Sequence, residues 1–161
     1  MRTFLHRVTL SALALASSPS FAASDHPELS AADQAYSAEK FELAAELYRR
    51  DAELGLVTAQ VNLAIMHLEG LGVAQDYGQA FHWFERAAQS GNKEAQQNLA
   101  QLYRDGHGVK QSDVQAASWF RIAGAMSDAE DLEKRMNPED TIEAKRRAES
   151  WMHEHGKSSG H

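Results

Sequence analysis

The sequence predicts an all-α fold, an α–α superhelix of about three helical hairpins closed by a C-terminal capping helix. Two observations predict it. The chain repeats itself at an offset of 36 residues, and within each repeat apolar residues return with helical spacing between recognisable caps. Ala59–Ala87 laid on Ala95–Ala123 is identical at 14 of 29 positions, among them Gln60, Asn62, Gly70, Gly72, Trp83 and Phe84. Unrelated segments would share roughly two or three. A period between about 20 and 50 residues means stacked supersecondary units that bury their apolar faces against one another.

The chain opens on a cationic "MRTFLHR", an apolar "VTLSALALA" and a small-residue "SSPSFAA". That three-part pattern predicts a secretory signal peptide over 1–22, too short for a permanent membrane span. A cut after Ala22 puts Ser20 and Ala22 at the small-residue positions, whereas a cut after Ala23 would put Phe21 there. The expected location is periplasmic or secreted, and no cysteine follows the run to carry a lipid anchor. Cleavage would remove Arg2 and Arg7, leaving 14 of 16 basic residues against 23 acidic ones, a balance of −9. Such a chain is a poor match for nucleic acid or an anionic membrane, both of which demand basic surface. Cysteine is absent from the sequence, so thiolate metal sites and cysteine nucleophiles are excluded and stability rests on packing.

After a flexible segment over 23–30, the first unit covers 31–56. Ser30 caps a short helix in "AADQAYSAEK", and "FELAAELYRRDAELG" forms a second helix ending at Gly55. The unit over 57–92 begins with Ala59, Leu63 and Met66/His67 on one helical face. It turns through "EGLGVAQD" and starts again at Asp76, with Gln79 three residues on in the manner of a capping box. Ala80, Trp83, Phe84 and Ala87 form the buried stripe, and Gly91 provides a left-handed stop. The unit over 93–127 repeats this with Ala95, Leu99, Leu102/Tyr103, "DGHGVKQS", Ser112/Gln115 and the stripe Ala116, Trp119, Phe120, Ala123. A C-terminal cap follows over 128–152. Asn137 caps its last helix, Pro138 takes the first helical position, and Ala144, Ala148, Trp151 and Met152 share one face. Lys145, Arg146 and Arg147 lie largely outside that face and read as a solvated surface. The segment 153–161 reads as a disordered, His-rich tail.

The two Gly-x-Gly-Val corners pose a choice between phosphate chemistry and architecture. They lie between helices rather than between a strand and a helix. Gln75 and Gln111 occupy the place of a third glycine, and no Gly-Lys-Ser/Thr follows. The glycines are therefore expected to supply backbone angles that a Cβ resists, with Val73 and Val109 plugging the turns into the core. No cofactor is implied.

At this point "AQVNLAIMHLEGLGVAQDYGQAFHWFERAAQSG" resembles a Sel1-like repeat, the long-turn relative of the tetratricopeptide repeat. "AYSAEKFELAAELYRRDAELG" resembles an ordinary tetratricopeptide unit, and "MNPEDTIEAKRRAESW" is similar to the final helix of many small bacterial members. Ala64 and Ala100 stand where a glycine is frequent, and His67 where a tyrosine is. The resemblance implies a helical solenoid without an inherited catalytic site, whose first helices form a concave wall for a peptide or a partner's surface. The partner is expected to be a protein or peptide of the cell envelope, with no membrane insertion after signal cleavage.

The candidate binding residues are those on first helices that point away from the Leu63/His67 face. They are Val61, Asn62, Ile65, Leu68 and Glu69 in one unit, and Glu94, Gln97, Asn98, Gln101, Arg104 and Asp105 in the next. Asn62 and Asn98 recur identically, as structural hydrogen bonds between units or as clamps on a peptide backbone. Val61, Ile65 and Leu68 are either covered by the preceding Ser30–Lys40 helix or form an exposed apolar strip on which a partner docks. A second function class is loose metal handling (Cu, Ni or Zn) by His153, His155 and His161, or by a Ser24-Asp25-His26 terminus if the cut falls after Ala23. Catalysis has no constellation behind it: the serines near His82 or His107 lack a third partner, and no His-Glu-x-x-His occurs.

Overall fold

The computed structural model describes residues 30–156. The expected signal peptide, the rest of the segment over 23–30 and the end of the tail lie outside the described residues. Eight helices make up the described part: α1 Ala31–Ser37, α2 Phe41–Glu53, α3 Val57–Glu69, α4 Tyr77–Gln89, α5 Lys93–Asp105, α6 Asp113–Ala123, α7 Met126–Glu133 and α8 Pro138–Gly156. Each helix packs on its chain neighbours as far as α6. There the alternation stops, and α7 and α8 both pack on α6. The fold is the all-α solenoid the repeat implies.

Local chemistry explains where the helices begin. Ser30 and Asp33 form a reciprocal capping box at α1. Asp76 accepts from the Gly78 and Gln79 amides at 2.9 and 3.0 Å, Asn92 from Ala95 at 2.8 Å, and Ser112 from Gln115 at 3.3 Å. Asn137 accepts from the Asp140 amide and returns a donor to its carboxylate, both at 2.8 Å. Each cap satisfies amides that the first helical turn leaves unpaired. At α3 the cap position is Leu56, which offers no side-chain acceptor.

The Gly-x-Gly-Val corners are structural, for two separate reasons. Gly70, Gly72, Gly106 and Gly108 all have φ between +66° and +73°, where a Cβ is strained. In addition, a Cβ on Gly72 would overlap the Phe41 backbone carbonyl, and one on Gly108 would overlap that of Tyr77. Phe41 and Tyr77 open α2 and α4. Each corner thus seats directly on the start of the preceding unit's second helix, and the two seats are themselves one repeat apart. Gln75 stiffens the first corner by donating to the Leu68 carbonyl at 2.8 Å.

The core is a run of alanines around a few large side chains, with Leu63, Met66, Phe84 and Leu99 fully buried. Alanine lets helix axes approach, and the aromatic stripe then supplies most of the buried area. Trp83 is buried as expected, while Trp119 is only half-buried. Val73 and Val109 are likewise half-buried, and Val73 packs against the core as expected. Two buried glutamines join successive units: Gln60 Nε2 donates to the Ala52 carbonyl at 3.2 Å, and Gln96 Nε2 to Ala88 at 3.1 Å.

The C-terminal cap is built by departures from the repeat. Ser118 stands where the previous unit has the exposed His82, and it is buried, donating to the Ala144 carbonyl of α8 at 3.1 Å. Arg121 of α6 pairs with Glu133 of α7 through both carboxylate oxygens, Nη2 to Oε2 at 2.8 Å. Arg146 and Arg147 share Glu143 at 2.7 Å each on a solvated face, while Lys145 reaches Glu133 of α7 at 3.7 Å. α8 runs on past the expected boundary at 152 to Gly156. His153 and His155 therefore belong to a helix, not to a disordered tail, and His155 stacks on Trp151 with ring centroids 4.0 Å apart.

A comparison of two glycines tests the corner. Gly55→Ala, at φ +91° with open space around it, should cost about 1–2 kcal/mol from backbone strain alone. Gly72→Ala should add about 1–3 kcal/mol of overpacking against Phe41. Urea denaturation of the two variants measures the difference, and equal losses would show that the corner is not seated on α2.

Candidate partner-binding groove

The first turns of α1, α3 and α5 meet along one edge of the array. Between them and the last turn of α2 lies a groove of about 410 Å³. Ser30 and Asp33 line it from α1, Asp51 from α2, Leu56, Thr58 and Asn62 from the start of α3, and Asn92 and Glu94 from α5. Three first helices thus bound one concavity. A mixed floor with a few converging polar groups is the usual chemistry of a binding site.

Tyr48 holds the groove open from behind. Its hydroxyl donates to Asp33 Oδ1 at 2.6 Å, while Asp33 Oδ2 closes the α1 capping box. Burial pushes the Tyr48 phenol well above its ordinary range, the bond to Asp33 adds to the rise, and a hydrogen bond with Asn62 pulls the other way. A phenol so raised is no base at neutral pH. The pair is a strut that fixes α1 on α2.

The expected site residues divide sharply. Val61, Asn62 and Glu94 line the groove. Ile65 does not, and of the two alternatives for Val61, Ile65 and Leu68 the covered one holds: no exposed apolar strip is formed. Val61 is 3% and Ile65 9% exposed, and Leu68 is half-buried against the same core. Tyr36 of α1 and Tyr48 of α2 close over Ile65, leaving a crevice of about 20 Å³. A charge at Ile65 would therefore attack the fold rather than a free surface. Glu69 is exposed, close enough to Tyr36 to reinforce the upward shift that burial gives that phenol. Gln97 and Gln101 are exposed on α5 beyond the groove. Asn98 donates to the Glu94 carbonyl of its own helix at 2.9 Å, and Arg104 grips Asp105 at 2.8 and 3.1 Å. Asp33, Tyr48, Asp51 and Thr58 are groove residues that the repeat pattern did not mark.

The described histidines do not gather. His26 and His161 lie outside the described residues, and among the described residues no three His, Asp or Glu side chains are placed to share a metal ion. His67 is 8% exposed beneath the first corner. Burial lowers its pKa and Arg49 lowers it further, against Asp76 and a hydrogen bond with the Ala74 backbone. Nδ1 is buried without a partner.

With the geometry in place, relatives can be compared. The family model described as Sel1 repeat matches residues 57–92 and again 93–128. The chain carries two Sel1 repeats. A protective antigen present in uropathogenic Escherichia coli strains, whose crystal structure displays an SLR fold, is 31% identical with a TM-score of 0.69. The match covers 71% of this chain and 26% of that one. A Sel1 repeat protein from Oxalobacter formigenes is 24% identical over 74% of this chain and 54% of its own, with a TM-score of 0.57, a likeness of fold alone. The chain therefore spans about a quarter and about half of the lengths of these two proteins. No curated protein matches the sequence. Sel1 repeats are characteristically protein–protein interaction modules.

His67 gives this region a pH dependence of known sign. Its folded pKa is lowered, so the unfolded chain binds more protons in the window below the ordinary value of about 6.5. The stability it contributes is present above that value and is lost as pH falls through the window. His67→Tyr, the residue that Tyr103 supplies in the next unit, should flatten the fall in melting temperature between about pH 7.5 and pH 5. Parallel slopes for wild type and variant would contradict the assignment.

Proposed function

We propose that the protein is an exported, non-catalytic interaction module of the cell envelope that holds a segment of a partner protein in the groove between α1, α3 and α5. One observation carries the reading: the N-terminal turns of three successive first helices converge on a single concavity of about 410 Å³. The groove walls are fixed from within by Tyr48–Asp33, so a partner meets a surface formed in advance, which lowers the ordering cost of binding. Export is supported by the three-part pattern of residues 1–22, with mature protein starting at Ala23. Interaction without chemistry is supported by the nature of the groove's closest polar pair, which is locked in a structural strut.

A photo-crosslinking amino acid placed at Thr58, in the groove, should capture a discrete partner in intact cells. The same group at the exposed Gln89, on the last turn of α4, should not. Equal adducts from both positions, or adducts from Gln89 alone, would place the interface elsewhere. Terminal sequencing of the exported protein checks the cut after Ala22.

A further inference from the structure

We infer that the occupant of this groove is a cationic, extended segment of a partner protein, with a lysine or arginine flanked by small or apolar residues. The inference rests on the reading of the groove as a partner site and adds the partner's chemistry. Asp33, Asp51 and Glu94 stand around the opening from three different helices, and none of the lining residues is basic. The three first helices oppose this charge, since each N-terminus presents about half a positive charge, and the last turn of α2 adds about half a negative one. Arg50 contributes one positive charge at the rim, where Nε and Nη2 both bind Asp51 Oδ1 at 3.1 and 3.0 Å. The lining carboxylates still outnumber the one arginine seen to bind any of them. Arg50 is also 64% exposed, and water screens it, whereas the Asp51 side chain is 16% exposed and faces inward.

The carboxylates differ in what they can do. Asp33 is committed to Tyr48 and Ser30, so it contributes field rather than contact. Asp51 meets Arg50 through one oxygen, and Glu94 is exposed in the first turn of α5. These two share the lining with Thr58 and Asn62 and are the residues that meet the incoming charge. Leu56, 49% exposed at the uncapped start of α3, gives the methylene stem of a lysine or arginine an apolar surface. A volume of about 410 Å³ suits a few side chains of an extended stretch rather than a folded surface.

The test titrates the isotope-labelled exported protein with three blocked decapeptides of one pattern, bearing lysine, glutamine or glutamate at alternate positions. The lysine peptide should shift the amides of Thr58, Asn62 and Glu94, and its binding should weaken as salt rises from about 50 to 500 mM. Asp51→Asn with Glu94→Gln should weaken it by roughly three- to tenfold, while Glu149→Gln on α8 leaves it unchanged. Glu94→Gln alone changes an exposed side chain and carries the test if the double variant loses its fold. If the glutamine or glutamate peptide shifts the same amides equally, the cationic preference is wrong and the groove reading survives. If the lysine peptide shifts nothing there, or acts equally on the Asp51/Glu94 variant, the inference is overturned. Crosslinking at Thr58 then decides separately whether the groove holds a partner at all.

Discussion

One buried hydrogen bond sets how each unit hangs on the one before it. Gln60 and Gln96, in the first turns of α3 and α5, reach back to the Ala52 and Ala88 carbonyls in the last turns of α2 and α4. Carbonyls at a helix C-terminus lack partners within the helix. Ala52 and Ala88 each also accept from a turn glycine, Gly55 or Gly91, and the glutamine adds a side-chain donor from the next unit. Both glutamines are almost fully buried, so leaving either end unpaired would carry the full desolvation penalty, about 1–3 kcal/mol. The bond fixes the entry of a first helix, and the glycine corner fixes its exit onto the start of the preceding second helix. With both ends held, the 36-residue period follows.

The array ends where those two devices end. One period after Gln96 stands Leu132, a buried apolar residue that cannot make the bond. Its place as a tie is taken by Arg121–Glu133 between α6 and α7, and by Ser118 to Ala144 between α6 and α8. α8 then covers the face of α6 that a further unit would have used. The opposite end is finished differently. α1 is short, and Tyr36 and Tyr48 close over Ile65, while Tyr48 also lines the polar groove beside it. The groove is therefore shared between units: Ser30, Asp33, Tyr48 and Asp51 come from the non-repeating α1–α2 part, and Thr58, Asn62, Asn92 and Glu94 from the two repeats.

The legibility of the molecule in its sequence follows the range of each interaction. Caps at Ser30, Asp76, Ser112 and Asn137, the left-handed glycines and the Trp–Phe stripe are decided within one or two turns of chain, and they could be read directly. The recurrence of Asn62 and Asn98 was equally visible, yet the two do different work. Asn62 meets the Tyr48 hydroxyl, whereas the residue one period after Tyr48 is Phe84, which has none, and Asn98 bonds its own helix instead. Gln60 and Gln96 recurred just as plainly, and their meaning appears only when the preceding helix end is in place. The cover over Val61 and Ile65 depends on side chains from α1 and α2 crossing α3, which no spacing rule within α3 encodes. Asp33 and Asp51 escaped for the same reason, and Tyr48, one period before Phe84, could be placed on the core stripe but not at the groove.

The most direct measurement is proton exchange at the glutamine side-chain amides, resolved by NMR. If Gln60 and Gln96 hold successive units in register, their Nε2 protons should exchange at least about a hundredfold more slowly than those of the exposed Gln97 and Gln101. Exchange at comparable rates would mean that the buried amides do not hold the stack together.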